Sequence, residues 1–251
     1  MNKKIEQVPD FEGLVRVAAQ HIVNVSQETI ANHGQMAFAL AGGSTPKKLY
    51  SLLAGDPFRS QIPWGSIHFF WGDERHVPPD HQDSNYRMAR EALLAHVPVP
   101  DDHVHRIPSE MQNAEEAADS YERELREYFQ LAPGQNPRFD LILLGLGPDG
   151  HTASLFPGTP AVHDTTRLVA APWVKKFSTF RITLTPAILN KADHVMFLVS
   201  GQDKAEALRS VLEGPYQPEV FPAQVIHPAQ GQLIWLVDKE AAGCLRSPLT
   251  V

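Results

Sequence analysis

Cysteine is almost missing from this chain. Of 251 residues only Cys244 is one, which excludes an internal disulfide and any cysteine-rich zinc site and fits a reducing compartment. Long apolar runs are missing as well: no stretch approaches the ~18 consecutive apolar residues of a membrane span, and the N-terminus, MNKKIEQVPDFEG, has no signal-peptide core. The expected location is therefore cytoplasmic. Lys and Arg number 22 against 29 Asp and Glu, and the formal net charge is −7 with no Lys/Arg-rich block. That balance excludes the electrostatic footprint of a binder of nucleic acid or of an anionic membrane, so an anionic ligand must be met by local groups. No Walker loop and no G-x-S-x-G serine elbow occurs, and the one cysteine is far from the polar junctions described below, which argues against a covalent acyl-enzyme. The twelve histidines are mostly scattered. His103 with His105, and His76 with His81, form pairs without a clear third ligand, so neither a metal nor another cofactor is expected.

What is present is a core. Hydrophobic residues make up 43% of the chain, enough for one large α/β domain, and no linker rich in Gly, Ser or charge divides it, so residues 1–251 are read as a single domain. Short apolar strands alternate with helices of three- and four-residue apolar spacing: Met36 to Ala41, Ile67 to Trp71, Leu141 to Leu144, Leu168 to Ala171, Phe180 to Leu184, His194 to Val199 and Leu233 to Val237 read as strands. This alternation predicts an α/β fold, a mostly parallel sheet with helices on both faces. In such a sheet the carboxyl ends of the strands carry the ligand site.

Four of those ends are polar. After the first come Gly42, Gly43, Ser44, Thr45 and Pro46, a turn whose glycines let backbone approach a ligand and whose Ser44 or Thr45 can cap the next helix, leaving N–H groups for a phosphate. An ordinary capped turn is the competing reading. After the second come Asp73, Glu74 and Arg75, either a solvated charge cluster or a site in which Arg75 holds an anion or polarises a carbonyl while Asp73 orients it or a substrate hydroxyl. The third carries Asp149 and His151 among Gly145, Gly147, Pro148 and Gly150, and the fourth runs from Ser200 to Lys204. Imidazoles ordinarily titrate near ~6.5, so one at the third junction is available as a base at neutral pH. Arg181, Lys175, Lys176 and Lys204 are further cations whose direction the sequence leaves open. Together these parts suggest a small phosphorylated substrate, anchored at one end and handed to a His/Asp pair at the other.

With those residues assembled, the chain resembles the 6-phosphogluconolactonase family over nearly its whole length. Three blocks carry the resemblance: LAGGSTPKKLY (Leu40 to Tyr50), WGDERHVPPDHQDSNYRMAREALL (Trp71 to Leu94) and LGLGPDGHTASLFPG (Leu144 to Gly158), with weaker agreement at RITLT (Arg181 to Thr185) and Lys204-Ala205. The resemblance implies a Rossmann-like fold shared with glucosamine-6-phosphate deaminases and ribose-5-phosphate isomerases. It also implies hydrolysis of 6-phospho-D-glucono-1,5-lactone to 6-phosphogluconate in the oxidative pentose phosphate pathway. On that reading His151 activates water, Asp149 orients the imidazole or a substrate hydroxyl, Arg75 with backbone N–H groups stabilises the oxyanion, and Asp73 orients Arg75 or a substrate hydroxyl. Gly42, Gly43, Ser44, Thr45, Arg181 and Lys204 are the candidates for the phosphate. The partner is a small-molecule phosphosugar lactone, and a monomer is expected.

Two other readings compete. Deaminases resembling this chain carry Asp-Glu-Tyr where Asp73-Glu74-Arg75 stands, and a ring-opening Glu five residues beyond the histidine, where this chain has Phe156; an arginine gained and a carboxylate lost suit lactone hydrolysis better. A non-catalytic sugar-phosphate sensor would carry a DNA-binding segment ahead of the first core strand, and too few residues precede it here. WVKKFSTF (Trp173 to Phe180) lacks the proline-rich lead-in that the resemblance would place before Arg181.

Overall fold

The computed structural model describes residues 2–246, so the ends of the 1–251 span read as one domain lie outside the described residues. Ten strands run in chain order: β1 Asn2–Val8, β2 Met36–Leu40, β3 Ile67–Trp71, β4 Asp73–Arg75, β5 Leu141–Gly145, β6 Val169–Ala170, β7 Trp173–Val174, β8 Thr179–Leu184, β9 His194–Val199 and β10 Gln232–Asp238. The helices are α1 Phe11–His33, α2 Ser44–Leu53, α3 Asn85–Ala92, α4 Ala114–Tyr128, α5 Pro186–Leu189 and α6 Ala205–Glu213. Local chemistry explains their limits. Asp10 accepts the Gly13 N–H at 2.8 Å to start α1, and Gly34, left-handed at φ 81°, ends it. Ser84 caps α3 by accepting the Arg87 N–H at 3.1 Å.

Six strands form one all-parallel sheet in the order β1-β10-β9-β5-β2-β3. Its inner strands are buried on both faces, with β2 buried throughout and Leu141 to Leu144 of β5 at most 1% exposed, which is why they read as continuous apolar runs. From β2 the chain moves outward to β3; from β5 it moves the other way, through β9 to β10. The reversal falls between β2 and β5, and there the pairing is short: only Phe38 with Leu141 and Ala39 with Ile142 are in register. Beyond that point the two strands part and open a crevice, the ligand position expected at a topological switch point.

The main sheet is thus the mostly parallel one expected, and the remaining strands lie outside it. β4, β8 and β6 form a second, antiparallel sheet, extended by β7 on β8, so the 168–171 and 180–184 segments do not join the main sheet. The Asp73–Arg75 junction is itself a strand, not a loop. Gly72 is the pivot: its N–H donates to the Leu40 carbonyl at 2.9 Å and its own carbonyl accepts from Leu184 N at 2.9 Å, tying the second sheet to the end of the first.

Two buried tyrosines brace the same edge. The Tyr50 hydroxyl accepts from Ala41 N and donates to Ala41 O, both at 2.9 Å, and the Tyr121 hydroxyl treats Trp71 alike at 3.0 and 3.2 Å. Each satisfies the backbone pair that its strand leaves open where a glycine turn begins. Among the described residues, no helix is long and apolar enough to cross a membrane.

Candidate active site

The crevice at the switch point is a cleft of about 730 Å³ whose walls include Gly42, Gly43, Ser44 and Thr45 after β2, Asp73 and Arg75 on β4, His151 after β5, Arg181 on β8 and Lys204 after β9. All four polar junctions therefore meet, from strands far apart in sequence. Asp149 alone among the predicted site residues is not part of the lining; it stands behind His151.

The run Gly145 to Gly150 has the spacing of a dinucleotide fingerprint, but no helix follows it, so its N–H groups do not form that phosphate cradle. Instead the loop folds back on itself. Gly147 N–H donates to the His151 carbonyl at 2.8 Å, and a Cβ on Gly147 would stand 1.9 Å from His151 Nδ1, so glycine is what leaves room for the ring. Asp149 Oδ1 bonds His151 Nδ1, while Asp149 Oδ2 accepts from Lys176 Nζ at 3.0 Å. Phe156 stacks on the imidazole with centroids 4.1 Å apart and planes at 23°. With Nδ1 taken, Nε2 is the nitrogen left to act. Burial works to raise the Asp149 pKa, but the hydrogen bond and charge of His151, joined by Lys176, overcome it and hold the carboxyl well below the usual carboxylate range. Asp149 is thus an ionised acceptor for the ring.

Arg75 and Arg181 are cross-strand partners on β4 and β8. Arg75 Nη1 donates to the Asp83 carbonyl at 2.6 Å, Arg181 lies 5.3 Å over the Phe177 ring, and among the described residues neither forms an ion pair. Burial, and then the charge of Arg75, push the Arg181 pKa down. Like charges directly opposite on paired strands are unfavourable by roughly 0.2–1 kcal/mol, a cost that a bound dianion would reverse. Lys204 Nζ contacts the neighbouring Asp203 at 2.8 Å at the cleft's far edge.

The glycine turn differs from its predicted capping. Neither Ser44 nor Thr45 is the N-cap; Gly43 is, at φ 107°, and no side chain bonds the first turn of α2. With glycine as N-cap the helix forgoes only about a few tenths of a kcal/mol of capping and keeps its first N–H groups open to the cleft, as an anion site needs.

Asp73 also differs. Its Oδ2 accepts from Ser154 Oγ at 2.6 Å and does not pair with Arg75. Glu74 is neither a surface charge nor a site group: 1% exposed, it accepts from Arg75 N, Asn85 N, Tyr86 N and Ser84 Oγ at the start of α3. Burial raises its pKa against the three backbone N–H bonds from Asn85, Tyr86 and Arg75. Ser154, Asn85 and Phe177 also line the cleft and were not identified from sequence. Ser154 reaches Asp73 across 81 positions, a separation that no spacing rule reads. Lys176, one of the cations of open direction, finds its direction in Asp149.

The sequence pattern of the family described as "Glucosamine-6-phosphate isomerases/6-phosphogluconolactonase" matches residues 9–235. A 6-phosphogluconolactonase of Synechocystis sp. is 48% identical over 219 residues, covering 87% of this chain and 88% of its own. The solved structure of 6-phosphogluconolactonase from Trypanosoma cruzi superposes with a TM-score of 0.86 at 33% identity, over 98% of this chain and 99% of that one. A monomeric glucosamine-6-phosphate deaminase superposes with a TM-score of 0.80 over 96% and 99%, but at 22% identity it shows the shared fold alone.

Proposed function

The chain belongs to the family of glucosamine-6-phosphate isomerases and 6-phosphogluconolactonases, and from that premise we propose how its cleft does the work of the second of these. The activity is that of a 6-phosphogluconolactonase, a hydrolase of the pentose phosphate pathway that opens 6-phospho-D-glucono-1,5-lactone to 6-phosphogluconate. The observation that carries the mechanism is the His151 mounting: Nδ1 on an ionised carboxylate, one face on Phe156, and Nε2 without a partner among the described residues, in a cleft also lined by Arg75 and Arg181.

His151 Nε2 takes a proton from water as its oxygen attacks the lactone carbonyl. The tetrahedral oxyanion that forms is stabilised by Arg75, and collapse breaks the bond to the ring oxygen, which leaves with the proton returned by His151. Asp149 holds the tautomer and stabilises the imidazolium. Asp73, steadied by Ser154, accepts from a substrate hydroxyl. The phosphate lies toward the uncapped start of α2, with Gly42, Gly43, Ser44, Thr45, Arg181 and Lys204 as its contacts. General-base catalysis supplies about 10²–10⁴ in rate, or roughly 3–5.5 kcal/mol of barrier, and oxyanion stabilisation adds to it. Phe156 supports hydrolysis over deamination, because its side chain presents no carboxylate where ring opening would need one.

The whole 1–251 span acts as one unit in this reading, supported by an apolar core continuous from Val8 to Ala242. It works as a monomer in the cytoplasm, and the single cysteine fits a reducing compartment. The deciding measurement sets acid release from freshly generated 6-phosphogluconolactone beside ammonia release from glucosamine 6-phosphate. Acid release alone is expected; activity in the ammonia assay alone would overturn the proposal.

A further inference from the structure

Asn85 opens α3, is 1% exposed, and still forms part of the cleft wall beside the Gly42–Thr45 turn. Its backbone N–H donates to Glu74 Oε1 at 2.7 Å and its Nδ2 donates to the Asp73 carbonyl at 2.9 Å, so both ends of the residue are fixed to β4. The other half of the amide is anomalous. Oδ1 is buried and, among the described residues, receives no hydrogen bond, an arrangement that is unfavourable unless something else retains it.

The reason lies on the facing turn. A Cβ on Gly42 would stand 1.9 Å from Asn85 Oδ1, 2.4 Å from Cγ and 2.6 Å from Nδ2. The amide therefore fills the volume in which any other residue at position 42 would carry its side chain. Gly43 next to it has no such neighbour, its nearest contact being Pro46 Cδ at 3.9 Å. The first glycine of the turn thus makes room for a side chain of the protein, and only the second serves the turn's own geometry.

We infer that Asn85 is a positioning residue that sets the preference for a phosphorylated substrate. Wedged on Gly42 and bonded to Asp73, it locks the turn at the start of α2 to the strand that carries Asp73 and Arg75. Phosphate and lactone ends of one molecule are then held at a single separation, where a misplacement of about 1 Å costs on the order of 10² in rate. The inference rests on the proposed phosphate role of the turn. An amide suits the task because it offers a donor to the Asp73 carbonyl and an uncharged flat edge to Gly42; an aspartate would turn a carboxylate toward that carbonyl, and a leucine would offer no donor.

The test compares hydrolysis of 6-phosphogluconolactone with that of unphosphorylated glucono-1,5-lactone by wild type, Asn85→Ala, Gly42→Ala and the double variant. Asn85→Ala should lower the ratio of kcat/KM for the phosphorylated over the plain lactone by about 10- to 100-fold, mostly through KM, while unfolding remains cooperative. Gly42→Ala should be worse than Asn85→Ala, and the double variant should recover to the Asn85→Ala level because the new methyl group then enters vacated space. Equal loss on both lactones in Asn85→Ala, or a double variant no better than a folded Gly42→Ala, would overturn the inference. If Gly42→Ala does not fold, the Asn85→Ala ratio decides alone. A wild type without activity on the phosphorylated lactone would sink the functional reading, and this inference with it; an active wild type with an unchanged Asn85→Ala ratio sinks this inference only.

Discussion

Two histidines of the main sheet and its junctions receive opposite treatment. His151, past the end of β5, has a carboxylate on Nδ1, a lysine behind that carboxylate and an aromatic ring on one face. His68, inside β3, shares a hydrogen bond with His105 Nε2 at 3.1 Å and stacks on His103 with centroids 3.8 Å apart. His105 in turn bonds Glu124 at 2.9 Å, Asp102 lies close enough to influence His68, and Tyr128 packs against its ring at 4.8 Å. Among the described residues the three histidines do not converge as metal ligands. Both histidines stack on a neighbouring ring; what separates them is the charge supplied to Nδ1. An ionised partner prepares His151 to become imidazolium, whereas burial and two further imidazoles keep His68 neutral, with its pKa lowered to about 4.

Removing each ring tests that contrast most directly. His151→Ala should lower kcat by about 10²–10⁴, the worth of a general base, with only the modest loss of stability that follows from removing its bond to Asp149 and its stack on Phe156. His68→Ala should do the reverse, retaining kcat and losing stability. Wild-type kcat in His151→Ala, measured as acid release, would remove it from the reaction.

Asp149→Asn sharpens the comparison by leaving the ring and altering only its partner. It should lower kcat by about 10–10², since the tautomer and the nascent imidazolium lose their anchor. It also has a stability signature. The folded-state pKa of Asp149 is depressed, so the stability it contributes is present above the ordinary carboxylate range near ~3.9 and is lost as pH falls through the lower folded value. The gap between wild type and Asp149→Asn should therefore stay constant from neutral pH down to about 4 and close only in stronger acid. A gap that closes above pH ~5 would mean the carboxylate is not held low.

These residues also mark what sequence could and could not reveal. The parallel strands were legible because burial on both faces leaves continuous apolar runs such as Leu141 to Leu144, and the polar junctions because Gly, Asp and His interrupt those runs. The second sheet was not: β4 is three residues long and polar, Asp73-Glu74-Arg75, so neither alternation nor length marks it as a strand. Asn85 and Ser154 carry no such signal, since their partners at Gly42 and Asp73 are brought near only by folding. Glu74 illustrates the opposite failure. Its charge suggested solvent or chemistry, while three donors at a helix start and the Arg75 N–H hold it in the interior.

The smallest expected effect belongs to His68, and it separates the two regions by pH. Because its folded pKa lies below the ordinary imidazole value near ~6.5, the unfolded chain takes up a proton first on acidification, and folding stability falls between about pH 6.5 and 4. That window ends where the Asp149 window begins. The shift would correspond to several kcal/mol for a buried group, but His68 is partly exposed to solvent, so screening leaves about 1 kcal/mol, or a fall of about 2–4 °C in Tm for a chain of this size. His68→Phe keeps the stack on His103 and removes the titrating group, so its Tm should stay nearly flat from pH 6.5 to 4 while wild type declines. Its kcat at neutral pH should match wild type, since none of its contacts reaches the cleft. An acid slope unchanged by His68→Phe would move the sensitivity to His103 or His105 and end the claim that His68 is the member kept neutral.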